Sequence, residues 1–140
     1  MCLPIPPPRM SSGQGTDWSA LAIPSTIGAM THADSGVLFV ATRGPGARGG
    51  LAHALQRIAV AAAARGERAH VLYETRDIAP GARGMQERAG VVWHPLGQLE
   101  GAEARLAALG EHALEVADAC RLDVVHGFYA TEPGYVAALT

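Results

Sequence analysis

Two groups of residues in this chain are of types that could do chemistry. His126 closes the short run Asp123-Val124-Val125-His126, and Gly44, Gly46, Gly49 and Gly50 crowd one turn. An imidazole at the end of a strand can donate a hydrogen bond or assist proton movement near neutral pH. Glycines running into a helix start leave backbone N–H groups free for an anion, usually a phosphate. The expected chemistry is that of an α/β domain handling a nucleotide or phosphate.

Such groups need elements to position them. Val37-Leu38-Phe39-Val40 reads as a strand buried on both faces, ending near Thr42. From Leu51 the period is helical, with Leu55, Ile58 and Ala62 at spacings of four, three and four, and Gly66 as the stop. Ala69 to Tyr73 is a second strand, which makes a βαβ crossover and implies a parallel sheet. Thr75 to Gly84 is expected to be an exposed loop, Met85 to Ala89 one helical turn, and Val91-Val92-Trp93 a third strand closed by Pro95 and Gly97. Beyond Ala102, Leu106, Leu109, Ala113, Val116 and Cys120 form the apolar stripe of an amphipathic helix, Cys120 being a small buried hydrophobe. Asp123 to His126 is then a fourth, buried strand, and Gly134 to Thr140 begins another helix. The sequence stops about two turns into it, so the expected fold is a Rossmann-like parallel sheet with helices on both faces, truncated at the C-terminus.

The chain has 140 residues and a net charge of -2, with dispersed basic residues, which argues against a nucleic-acid binder. Residues 1–34 are rich in Pro, Ser, Gly and Thr and read as a disordered extension, leaving 35–140 as the folded domain. No secretory signal or long apolar run is visible, so the expected location is the cytoplasm. Two cysteines make no disulfide framework, and the six histidines have no HExxH or paired Cys/His spacing, so no metal site is expected.

The Gly49-Gly50 pair, the Ala64-Arg65-Gly66 ending, the strand His70-Val71-Leu72 and the later Asp123-Val124-Val125-His126, in that order, resemble the N-terminal half of family 4 glycosyltransferases. The resemblance covers about Val37 to Thr140. It implies one of two facing Rossmann-like domains in the GT-B arrangement, the one that mainly binds the acceptor. A nucleotide-sugar donor would be substrate rather than cofactor, with a sugar, lipid or small molecule as acceptor; membrane association is not read from the residues. By the same resemblance Gly49 and Gly50 bring backbone N–H groups to the donor diphosphate, and Arg48 adds charge there. His126 lies near the transferred sugar as the catalytic histidine, and Phe128, Tyr129 and Thr131 line the acceptor pocket. Many members carry a second histidine two residues after the first, where this chain has Phe128. The donor domain is missing, so the chain alone is expected to be inactive.

Two alternatives belong to other classes. Gly44, Gly46 and Gly49 match GxGxxG, with Glu74 at the end of the second strand as a ribose acid, the pattern of a nicotinamide-dependent oxidoreductase. A non-catalytic α/β interaction module is the other.

Overall fold

The structure, a computed structural model, describes residues 35–128 and 132–140. The expected extension over 1–34 lies outside the described residues, as do Tyr129 and Thr131. The elements in chain order are β1 (Gly36–Ala41), α1 (Gly50–Ala64), β2 (Arg68–Thr75), β3 (Gln86–Arg88), β4 (Val91–Gly97), α2 (Ala102–Ala119), β5 (Val124–Gly127) and α3 (Glu132–Leu139). They form one five-stranded sheet in the order β3-β4-β2-β1-β5, parallel except for β3. The four parallel strands thus have the order of one half of a doubly wound sheet, in which the chain changes direction of travel between β1 and β5.

Alternation along β1 divides the core. Phe39 and Ala41 face α1 with Leu55, Ala59, Ala62, Val71 and Trp93, whereas Leu38 and Val40 face α2 and α3 with Leu72, Leu109, Ala113, Val116 and Val136. Each fully buried leucine contributes roughly 1.5–3 kcal/mol by leaving water. The α1 stripe is Ala52, Leu55, Ala59 and Ala62, so the helix lies on the sheet largely through alanines, and Ile58 turns to solvent instead.

The connection from β2 to β4 keeps the expected exposed loop over Thr75 to Gly84 but not the helical turn after it. Neighbouring parallel strands need a return stroke, and here it is an extended strap along the outer edge of β4. Gly81 N–H donates to Gly97 O at 2.9 Å, Gly97 N–H to Ala82 O at 2.8 Å, and Gly84 N–H to Pro95 O at 2.9 Å. Gln86–Arg88 then pairs antiparallel with β4 as β3, so the expected helical turn over Met85 to Ala89 is overturned. Ala89 and Gly90 close the hairpin with φ of 54° and 76°, the left-handed pair of a two-residue turn whose twist suits the strands. β4 also runs past Pro95 to Gly97, because the strap accepts and donates along its outer edge. Gly97 has to be glycine: a Cβ there would overlap the backbone of Ala79 in the strap.

Further corrections concern the last strand and Cys120. β5 is half-buried to exposed along its length rather than buried, being the sheet's edge among the described residues. Cys120 is only partly buried, at the margin of the α2-side core. The backbone at the start of α3 presses so closely on β5 that a Cβ at Gly127 would overlap Pro133. Among the described residues, no helix is long and apolar enough to cross a membrane.

Candidate functional site

The site follows from the parallel pairing of β1 and β5, in which Phe39 is in register with His126 and Val40 with Gly127. Both strands run towards the same edge of the sheet, where Phe128 N–H closes the ladder on Val40 O at 2.9 Å. In open parallel sheets this edge, at the point where the strand order reverses, is where ligands bind. The glycine loop leaves β1 there, and His126 reaches it from β5.

The loop is built in two steps. Gly44 to Ala47 is a β-turn closed by Ala47 N–H to Gly44 O at 3.2 Å, with Pro45 second and Gly46 third at φ 85°, the arrangement a type II turn demands. Gly44 is buried against the ring of Tyr73, leaving no room there for a Cβ. Gly49 then caps α1 with φ 123° and ψ 157°, a region open essentially to glycine alone. Positive φ therefore belongs to Gly49; Gly50 is the first helical residue and has none.

The N-terminus of α1 has no side-chain cap and no acidic residue in its first turn. A Cβ added at Gly46, Gly49 or Gly50 meets nothing within 4 Å, so the loop faces open space. Arg43 and Arg48 are exposed on the same loop. Free N–H groups, the positive end of the helix dipole and two guanidinium groups make this rim attractive to an anion.

His126 is exposed, with its ring edge-on to Phe39 at 5.8 Å and to Phe128 at 5.3 Å between centroids. Phe128 itself is only 9 % exposed and belongs to the α1-side core, edge-on to Phe39 at 6.0 Å. The family resemblance placed Phe128 in an acceptor pocket; in the fold its ring is packed into the α1-side core, edge-on to both Phe39 and His126. Gly49, Gly50, Arg48 and His126 are thus brought to one edge.

Glu74 sits at the same edge, two strands from His126, but its carboxylate is committed. Arg105 of α2 donates to both oxygens, so the acid that would hold a ribose in a dinucleotide site already has a partner. Sequence also passed over Arg43 and the seat of Gly44 on Tyr73. A second loop arginine was visible in the sequence, whereas the Tyr73 contact had no local signal. Among the described residues, no group of three or more His, Cys, Asp and Glu side chains is arranged to hold a metal ion.

Compared with known proteins, the chain matches no protein-family model, no curated protein and no solved structure. Fold and site together describe an α/β domain with a mostly parallel five-stranded sheet and a glycine-lined helix start at the C-terminal edge of its strands.

Proposed function

We propose that this chain is the acceptor-side domain of a retaining glycosyltransferase that moves a sugar from a nucleotide-sugar donor. One observation carries the reading: Gly50 is glycine although neither its φ nor any neighbour within 4 Å requires it. A bare backbone at the first turn of an uncapped helix, at the same sheet edge as an exposed histidine, suits close approach by a diphosphate. In this reading the N–H groups of Gly50 and Leu51 hold the diphosphate with help from Arg48. His126 donates a hydrogen bond to the transferred sugar or the acceptor hydroxyl. The donor domain supplies the nucleotide pocket from across the cleft.

The test is Gly50→Val in a protein carrying both domains. Valine obstructs the approach while leaving the helix start unstrained, so sugar transfer falls at least about tenfold, roughly 1.4 kcal/mol of transition-state stabilisation. His126→Ala lowers turnover with much less change in donor affinity. Normal transfer by a folded Gly50→Val protein removes the role given to the loop. Absence of any nucleotide or acceptor binding by the parent would favour a non-catalytic module instead.

A further inference from the structure

On the α2 face of the sheet, away from the ligand edge, three histidines occupy positions that apolar residues would ordinarily fill. His94 on β4 is 5 % exposed and His112 on α2 is 7 % exposed, the latter sharing the buried stripe with Leu109, Ala113 and Val116. His70 on β2 is half-buried. Its Nδ1 lies 2.9 Å from His94 Nε2, with the two rings stacked at 5.2 Å and 14°. His112 sits edge-on to His94, centroids 6.2 Å apart. The His70–His94 bond, between neighbouring strands, requires one ring nitrogen to donate and the other to accept, which a neutral or singly protonated pair satisfies and two imidazolium ions cannot. Both ring nitrogens of His112 are buried without a hydrogen-bond partner.

We propose that His70, His94 and His112 form an acid-sensitive latch, which holds α2 on the sheet while the rings are neutral and releases it when they take up protons.

The surrounding charges favour release. Arg68 on β2 acts on His70 and Arg83 of the strap acts on His112, so each outer ring already faces a cation. Glu115 and Glu111, on α2 itself, oppose this at His112. Glu115 Oε2 lies 3.6 Å from His112 Nδ1 but is half exposed and is also paired with Arg83. Among the described residues, the titratable neighbours acting on His94 are His70 and His112, both cationic when charged. Burial first, and then those two rings, push His94 down to about 4. Burial and Arg68 lower His70, and burial and Arg83 lower His112.

A free imidazole titrates near 6.5. With the folded values lower, the unfolded chain binds more protons in the interval between, and stability rises with pH there. The latch is therefore fully closed above about pH 6.5 and weakens as pH falls from there towards the folded value of about 4 for His94.

The test uses the 140-residue chain, followed by thermal unfolding and amide exchange between about pH 7 and pH 5, above the range where most carboxylates titrate. The melting temperature is expected to drop by at least about 5 °C across this interval. Protection factors in α2 should fall ahead of those in β1. The double variant His94→Leu/His112→Leu should lose most of this pH dependence. The same slope in that variant as in the parent, or loss of protection in β1 together with α2, overturns the latch. Should the variant fail to fold, the ring-proton titrations of the parent decide. Midpoints for His70, His94 and His112 below about 6.5 support the proposal, and midpoints at or above that value overturn it.

Discussion

Arg105 reaches from the first turn of α2 to the end of β2 and grips Glu74 with both sides of its fork, Nε to Oε1 at 3.0 Å and Nη2 to Oε2 at 2.6 Å. The Glu74 side chain is only 3 % exposed and that of Arg105 25 %, so most of the pair's charge is out of water. The bond fastens the start of α2 to the C-terminal edge of the sheet, and it decides how either residue responds to substitution.

Arg105→Ala leaves a buried carboxylate without its guanidinium and should destabilise the fold by about 3 kcal/mol. Replacing both partners, as Glu74→Leu/Arg105→Met, removes the stranded charge and should cost far less. Urea unfolding of the three proteins checks this. A single variant within about 1 kcal/mol of the parent would show that water reaches the carboxylate.

Gly49 and Gly50 are adjacent and chemically identical, yet should behave oppositely. Gly49→Ala forces a side chain onto φ 123° and should cost about 1–3 kcal/mol. Gly50→Ala meets no neighbour and sits in a helical conformation, so stability should hold or rise by about 0.4–1 kcal/mol. Melting temperatures of the two variants separate the glycine that the backbone requires from the one that it does not.

His126 and Phe128 touch but lie at different depths. His126→Ala removes two edge contacts of an exposed ring and should cost no more than about 1 kcal/mol. Phe128→Ala opens a cavity in the α1-side core and should cost about 3 kcal/mol. Equal losses in denaturant titrations would mean that His126 is also structural.

Much of this architecture was legible because buried strands and amphipathic helices write their periods into the sequence. β1 and β2 are dense apolar runs, and Leu109, Ala113 and Val116 mark the buried face of α2. The strap and β3 were not legible, because Gln86, Glu87 and Arg88 are all exposed and polar, leaving no apolar alternation to mark a strand. The hairpin was disguised by Ala89, a residue seldom found at positive φ. His112 was missed as a stripe member because a polar type stands at an apolar position. At the site, composition showed the glycine cluster and His126. It could not show that Gly46 and Gly49 carry positive φ while Gly50 does not, nor that Phe128 faces inward, since both depend on the path of the chain in space.

The seat of Gly44 on Tyr73 gives the glycine loop a built-in clock. The Tyr73 ring has the Gly44 turn against it and Trp93 edge-on at 6.2 Å, while Gln86 of β3 donates to its hydroxyl at 3.3 Å. In so close-packed a setting the ring cannot turn about its axis unless the Gly44 turn lifts away, whereas the hydroxyl oxygen lies on that axis and keeps its bond from Gln86. Ring flips of Tyr73 therefore count the openings of the glycine loop. A ligand that clamps the loop should slow them, even though it never touches the tyrosine.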